Sequence, residues 1–288
     1  MLLLPLLPLL LAGCVAGVPA PTEGELAVHF IDVGQGDATL LVAPDATVLV
    51  DAGRHTGTDV VEYLERSGVR AIDVVAVTHP HADHLGQFDL VMERFDVGEV
   101  WWSPTTHTTQ TFDRALDALE ASDATYEEPR AGARTGVGSL QFAFVNPVAD
   151  AGDGDLHDHG LAFRVTYGNV AFLFTGDAEV QTEQRMVATA ANALAADVYQ
   201  VGHHGSSTST SAAFLAAVSP QVAVYSAGRD SQYGHPHDEV VDRLTGADVA
   251  VYGTAAHGTV IVTTDGDDLR VQTATGAPPI RDSGDRDG

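Results

Sequence analysis

The chain has 288 residues, 44% of them apolar, which is enough for a sizeable core in one large domain or two small ones. Its 40 acidic residues outweigh 14 basic ones, all of them arginine, and the formal net charge is −26. Such a surface argues against proteins that follow nucleic acid along a basic groove. It suits a protein from a high-salt environment, where the repulsion between like charges is screened.

The first 14 residues, MLLLPLLPLLLAGC, form an apolar run that ends in the single cysteine, Cys14. The run is short for a membrane span, and small residues before Cys14 are typical of a cleaved export signal. Leu-Ala-Gly-Cys also resembles a lipobox, in which Cys14 carries the lipid; a misassigned start and a buried helix are the alternatives. Residues 15–25 then form a Pro-containing linker. We expect an exported lipoprotein on the extracellular face of the membrane, held there only through Cys14.

Strand and helix patterns follow one another from residue 26 to residue 275. Short β-branched runs bounded by Gly, Pro or Asp predict strands at 26–33, 38–43, 46–50, 72–78, 98–102, 140–145, 161–168, 169–177, 197–201, 221–226, 248–252, 258–264 and 269–274. Helical spacing predicts helices at 59–68, 86–95, 111–121, 178–195 and 236–244. This mixture predicts an α+β domain with two sheets sandwiched by helices. The polar, turn-rich tail at 276–288 is expected to be disordered.

A dense cluster of polar side chains follows the predicted strand at 72–78. It consists of His79, His81, Asp83 and His84, and burying these groups without partners would cost too much free energy. Imidazoles and carboxylates without a thiolate fit zinc, manganese or iron. Other candidate ligands stand at the ends of other strands, where a sheet fixes the backbone: Asp51, Asp177, His203 and His204.

The spacing within the cluster predicts two divalent ions, zinc or manganese. Alternate positions orient His79 and His81 the same way in an extended backbone, whereas Asp83 and His84 follow a turn and face a second ion. Asp177 has two carboxylate oxygens and is suited to bridge both ions. Two ions about 3.5 to 4 Å apart share a water and lower its pKa, which makes a hydroxide nucleophile.

Several segments, in this order, resemble the metallo-β-lactamase-type hydrolase domain of ComEC competence proteins: HFIDVGQGDATLL, VLVDAG, THPHADHLG, FLFTGD, VGHHGSSTS and YGHPH. The resemblance covers about residues 26–275 and implies a four-layer αββα sandwich, the metallo-β-lactamase fold, with a dinuclear site. It also implies metal-dependent hydrolysis, usually of a phosphodiester. In ComEC proteins this domain is proposed to degrade the DNA strand that is not imported. No other segment looks able to span a membrane, so we expect no DNA transport by this chain alone.

The resemblance also implies roles for single residues. His79 and His81 hold one ion, while Asp83, also a catalytic residue, and His84 hold the second, and Asp177 bridges them. His203 is favoured over His204 to complete the second ion. His157 or His159 finishes the first ion. Asp51 orients the histidine loop from behind.

For other polar residues near these motifs, the sequence allows two alternative roles. His235 and His237 either donate to the scissile phosphate and protonate the leaving oxygen, or belong to a turn fixed by Pro236. Asp32, Gln35 and Asp37 either line the site, with Asp32 supporting the ligands from behind, or only tie their own turn together, and the second interpretation is favoured. No site role is expected for His29, His55, His107 and His257. Of Trp101 and Trp102, one is expected in the core and one at the surface.

The favoured function is hydrolysis of DNA by a phosphodiesterase that uses a metal-bridged hydroxide. One alternative is a hydrolase of a small phosphodiester, a phosphorylcholine ester or a lactone. Another is a surface lipoprotein that binds metal or ligand without turnover. An enzyme keeps an open position on its metals, so added phosphate should displace a bound water only from an enzyme. No protein partner is predicted.

Overall fold

The computed structural model describes residues 24–148 and 154–285. The predicted leader with Cys14, and the linker as far as residue 23, lie outside the described residues. The strands are β1 (Leu26–Phe30), β2 (Thr39–Ala43), β3 (Ala46–Val50), β4 (Ala71–Val77), β5 (Asp96–Trp102), β6 (Thr125–Glu127), β7 (Arg134–Val137), β8 (Leu140–Asn146), β9 (Ala162–Tyr167), β10 (Val170–Phe174), β11 (Val198–Gln200), β12 (Val222–Tyr225), β13 (Ala250–Gly253), β14 (Val260–Thr264) and β15 (Leu269–Thr273).

The α-helices lie between these strands. They are α1 (Asp59–Arg66), α2 (Phe88–Arg94), α3 (Gln110–Glu120), α4 (Val180–Ala190), α5 (Ala212–Val218), α6 (Asp238–Thr245) and α7 (Thr254–His257). The predicted strands and helices are all present, with ends that differ by a few residues. The helix predicted over 178–195 ends earlier than expected and continues as the 3₁₀ turn Ala191–Ala193. The sequence patterns had not indicated β6, β7, α5 or α7.

Two mixed sheets form the centre of the fold. The first has the strand order β15-β14-β1-β2-β3-β4-β5-β6, and the second has the order β13-β12-β11-β10-β9-β8-β7. Pairing is parallel from β3 through β6 and from β10 through β13. Parallel strands place their carboxyl ends at the same edge of a sheet, so the loops that follow them gather there.

Apolar side chains from both sheets fill the space between them, and separate clusters lie under the helices. On β4, Val74 and Ala76 face the other sheet, whereas Val75 and Val77 face α1 and α2. The period of two along a strand that is covered on both sides explains the continuous apolar run in this segment. The helices α4, α5, α6 and α7 cover the second sheet in the same way. The layers are therefore helix, sheet, sheet and helix, as predicted.

Both tryptophans are buried, which corrects the expectation that one lies at the surface. Trp101 packs between the sheets, with its ring edge-on to Phe142 at 4.8 Å. Trp102 points to the opposite face of β5 and contacts Phe88 and Phe112 beneath the helices. Neighbouring residues of a strand point to opposite faces, and here both faces are covered.

Of the predicted disordered tail, the structure describes residues 276–285 and places them against the second sheet and α6. Ile280 is buried and its backbone pairs with Val251 in an antiparallel bridge. Ser283 N donates to Asp242 Oδ1 of α6 at 3.2 Å. One apolar side chain anchors the otherwise polar segment to the second sheet.

None of the helices in residues 24–148 and 154–285 has the length and apolar character needed to cross a membrane.

Candidate metal centre

Most of the candidate ligands lie in the loops after β3, β4, β10 and β11, at the edge where parallel strands end. Asp51 follows β3 directly and adopts a left-handed backbone, with φ of 59°. Its buried carboxylate accepts hydrogen bonds from Thr78 N at 2.8 Å and Thr78 Oγ1 at 2.7 Å. It also accepts one from His84 Nδ1 at 2.8 Å. In the neutral ring this hydrogen bond keeps the proton on Nδ1 and leaves the lone pair to Nε2, which faces Asp177. Asp51 thus orients the histidine loop.

Candidate ligand atoms gather in two groups that share Asp177. The first group is His79, His81, His157 and Asp177, and the second is Asp37, His84, Asp177 and His204. Within each group the ligand atoms lie within 4.8 Å of one another. A carboxylate with an oxygen available to each group is the arrangement expected of a bridging ligand.

The distances within the groups fit divalent ions. His84 Nε2 lies 3.2 Å from Asp177 Oδ1, and His79 Nε2 lies 3.6 Å from Asp177 Oδ2. His204 Nε2 lies 3.7 Å from Asp177 Oδ2. Two ligands that are each about 2.1 Å from a tetrahedral ion are roughly 3.4 Å apart. Nitrogen and oxygen ligands without sulfur suit zinc and manganese. The residues present therefore fit two divalent ions.

Burial and the central carboxylates set the protonation of the ligands. Burial lowers the pKa of His79, and it lowers the pKa of His81 to about 4, so both rings are neutral at pH 7. Burial also acts to lower the pKa of His204, but the Asp177 carboxylate outweighs it and the pKa rises to about 9. In His84, burial is likewise outweighed by Asp177 and Asp51, and the pKa is raised. Ions that bind here must displace these protons.

Of the two adjacent histidines, His204 rather than the favoured His203 belongs to a ligand group. His204 is buried, and its Nδ1 donates to Ser226 O at 2.9 Å, so Nε2 faces Asp177. His203 is more exposed, with Nδ1 3.4 Å from Glu179 Oε1 and Nε2 3.7 Å from Asp177 Oδ2. Both residues are left-handed, with φ of 50° and 56°, and this turn directs the second ring inward. The structure departs from the preference for His203 at this point.

Asp83 lies beside the second group but is not one of its four members. Its Oδ2 is 3.3 Å from His204 Nε2, and about a third of its side chain is exposed (32%). Its backbone oxygen accepts a hydrogen bond from Asp37 N at 3.0 Å. The first distance is close to that between two ligands of one ion, so Asp83 lies within reach of an ion held by the second group. Its exposed part lines the cavity above the site.

Of the two candidates before β9, His157 is a member of the first group and His159 is in neither. The ring of His157 lies 4.9 Å from that of His81 and 4.8 Å from that of His203. The adjacent Asp158 fixes this loop to α4, because its Oδ1 accepts hydrogen bonds from Thr182 Oγ1 at 2.6 Å and Arg185 at 2.8 Å.

The turn between β1 and β2 contributes Asp37 instead of Asp32. Asp32 is exposed and accepts a hydrogen bond from Gly34 N at 3.2 Å, so it ties the turn and does not support the ligands. Asp37 is buried, and its Oδ2 is 3.5 Å from His204 Nδ1. A Cβ on Gly36, whose φ is 150°, would lie 2.6 Å from Asp83 O. Glycine at this position lets the turn approach the histidine loop.

A cavity of about 400 Å³ opens above the two groups. Besides Asp83 and the histidines of the site, it is lined by Gln35, His107, Thr109, Tyr233 and His235. His107, for which no site role was expected, has its ring 5.9 Å from that of His81. The sequence gives no indication of this position, because no motif surrounds His107; the fold brings the loop before α3 to the cavity.

The two histidines of YGHPH separate in the structure. His235 lines the cavity and its ring lies 6.0 Å from that of His204. His237 does not line it, and its Nδ1 accepts a hydrogen bond from Ser207 N at 2.8 Å. His237 N in turn donates to Gly205 O at 2.9 Å, so His237 holds the loop that carries His203 and His204. This arrangement departs from the predicted catalytic role of His237.

Comparisons with known proteins agree with this fold. Residues 31–229 match the model of the metallo-beta-lactamase superfamily. Competence protein ComA of Neisseria gonorrhoeae is 32% identical over 89% of this chain and 34% of its own length. ComE operon protein 3 of Bacillus subtilis is 29% identical over 83% of this chain and 33% of its own length. The chain thus spans about a third of these curated relatives.

Among solved structures, the metallo-beta-lactamase fold protein YhfI from Bacillus subtilis superposes with a TM-score of 0.55. The two share 14% identity, and the match covers 83% of this chain and 99% of YhfI. The fold of this chain is therefore similar to that of YhfI over most of its length. The chain belongs to the metallo-beta-lactamase superfamily: it has the fold of that superfamily and two groups of residues that could hold metal ions.

Proposed function

We propose that the protein is a dinuclear metal-dependent phosphodiesterase that cleaves DNA. The observation that carries the proposal is the pair of ligand groups that share Asp177 at the floor of an open cavity. Two bound divalent ions would supply an activated water and neutralise charge on the phosphoryl oxygens. The similarity to competence proteins supports DNA as the substrate.

Residues of the chain would perform separate tasks around the ions. Asp51 holds His84 in one tautomer, and Asp177 joins the two ligand groups. Burial, helped by the nearby His204 and His203, lowers the pKa of His235 to about 4, so its ring is neutral at pH 7. A neutral ring is a poor acid but a good hydrogen-bond donor, which suits contact with a phosphate oxygen or the leaving oxygen.

A small phosphodiester, a phosphorylcholine ester or a lactone is the second candidate substrate. The cavity is about 400 Å³, near the lower end of ligand pockets, and its lining residues include no arginine. A long polyanion would gain little from phosphate contacts on such a surface, particularly in concentrated salt.

An assay of the full chain with zinc or manganese in molar salt would test the proposal. The substrates are single-stranded DNA, double-stranded DNA and a chromogenic phosphodiester, and metal content is measured alongside. Asp177→Asn should abolish cleavage, while Asp45→Asn, at an exposed carboxylate beside Ser139, should have no effect. Cleavage of the small ester alone would favour the second candidate. Two bound ions without any hydrolysis would contradict both and favour a binding protein.

Location is a separate proposal. We infer export and lipidation at Cys14 from the leader sequence, which lies outside the described residues. Mass spectrometry of the protein recovered from membranes tests this: a lipidated N-terminal cysteine supports it, and an intact leader opposes it. The high-salt origin suggested by the charge is tested by unfolding the protein at decreasing salt concentrations.

A further inference from the structure

An exposed aromatic side chain stands at the mouth of the cavity. Among the described residues, the large apolar side chains with substantial exposure are Leu116, Tyr126 and Tyr233, and Tyr233 is the most exposed at 57%. Of these three, Tyr233 alone lines the cavity. An exposed aromatic face costs free energy in water, and at the edge of a binding site it offers a surface for a flat ligand.

The ring of Tyr233 continues a series of rings that begins at the metal site. His204 and His235 lie 6.0 Å apart with planes inclined by 28°, and His235 and Tyr233 lie 5.7 Å apart with the same inclination. Gln35 Nε2 is 3.5 Å from His235 Nδ1, and Gln35 Oε1 accepts a hydrogen bond from Gly228 N at 3.4 Å. The inner rings are thereby held in place, and the outermost ring is open to solvent.

We propose that Tyr233 is a stacking platform for a nucleobase of single-stranded DNA, next to the phosphodiester that is cleaved. The inference rests on the proposed function and names the form of DNA that the site takes. Stacking suits this chain because every base offers a flat face and no positive charge is needed. Because the net charge is −26 and the cavity lining contains no arginine, affinity beyond the one phosphate held by the ions would come mainly from stacking. A base in a duplex is already stacked and is not available to the platform.

Binding of a short oligonucleotide tests the platform directly. The probe is a fluorescent tetrathymidylate with phosphorothioate linkages, titrated against the metal-loaded full chain and followed by anisotropy. Tyr233→Ala should weaken binding about 5- to 150-fold, the range known for one stacked base. Tyr233→Phe keeps the ring and should bind within about twofold of the unchanged chain. Tyr126→Ala removes an exposed tyrosine from the distant edge strand β6 and should leave binding unchanged.

Two further arms separate stacking from phosphate contacts. A probe of equal length with abasic sugars should bind weakly and show no response to Tyr233→Ala. A plot of log affinity for the thymidine probe against log salt concentration should have a slope no steeper than about −0.7, the value for the one phosphate that the ions neutralise. Equal binding by Tyr233→Ala and the unchanged chain would overturn the proposal. Equal losses in Tyr233→Phe and Tyr233→Ala, or no measurable binding at all, would also overturn it.

Hydrolysis distinguishes a failure of this inference from a failure of the proposed function. If the chain cleaves DNA and Tyr233→Ala binds and cleaves it equally well, the platform is refuted and the nuclease is supported. If no phosphodiester is cleaved but Tyr233→Ala still loses affinity for the base-containing probe, the platform is supported and the nuclease is refuted.

Discussion

Replacing Asp51 by asparagine tests whether this buried carboxylate organises the metal centre. Asparagine has the same shape and tolerates the left-handed backbone found here, so the backbone should not change. One side-chain oxygen can still accept from Thr78 N, but the amide NH₂ then faces the Thr78 hydroxyl or the His84 Nδ1 proton. The variant thus places a donor opposite a donor in a buried site, and the charged hydrogen bond to the Asp51 carboxylate is lost. This loss should lower the free energy of unfolding by about 1.5 to 3 kcal/mol.

The same change should weaken metal binding. His84 loses the partner that fixes its tautomer, and loss of such a partner typically lowers metal affinity about 10- to 100-fold. Competition with a chromophoric chelator measures the affinity, and urea unfolding of the metal-free chain measures the stability. Asp45→Asn is the matched control, because Asp45 accepts hydrogen bonds from Ser139 at an exposed site and should not influence the metal. Unchanged metal affinity in Asp51→Asn would refute the reasoning.

Three other changes have defined outcomes. His204→Ala should lower the number of bound metal ions, as measured by elemental analysis, whereas His203→Ala should leave it unchanged. The reason is that only His204 belongs to a ligand group. The reverse result would favour His203 as the ligand. Burial lowers the pKa of His29 to about 4, so its contribution to stability is complete above the unfolded-state pKa of 6.5 and falls as pH drops. The expected loss is about 1.4 kcal/mol per pH unit between these values, and His29→Gln should lack this component of the slope in urea unfolding. Trp101→Ala should cost about 3 to 5 kcal/mol of unfolding free energy, and a loss below about 1 kcal/mol would contradict its place between the sheets.

The sequence predicted the fold and indicated the first candidate ligands because their signals are local. Alternating or continuous apolar runs identify strands, and a cluster such as His79 to His84 after a strand has no role in packing. Elements without such a signal were missed. The strand β6 has three exposed residues, and its pairing with β5 depends on tertiary contact alone. The helix α5 follows a serine- and threonine-rich loop, although Ser211 Oγ accepts a hydrogen bond from Phe214 N as an N-cap.

The choice between neighbouring residues could not be made from the sequence. Whether His203 or His204 points inward depends on the sign of φ in a turn of four residues, Gly202–Gly205. Asp37 reaches His204 because the turn before β2 packs against the loop of Asp83, a contact between distant parts of the chain. The sequence predicts one tryptophan in the core and one at the surface because it does not show that both faces of β5 are covered. The second sheet covers Trp101, and the helices cover Trp102.

The central claim is that two divalent ions share the Asp177 carboxylate. Anomalous diffraction from crystals of the full chain grown with manganese would test it most directly. We predict two peaks about 3.5 to 4 Å apart, the usual separation in two-metal sites. One peak should lie among His79, His81 and His157, the other near His84 and His204, with Asp177 between them. A single peak, or two peaks that Asp177 does not join, would contradict the account.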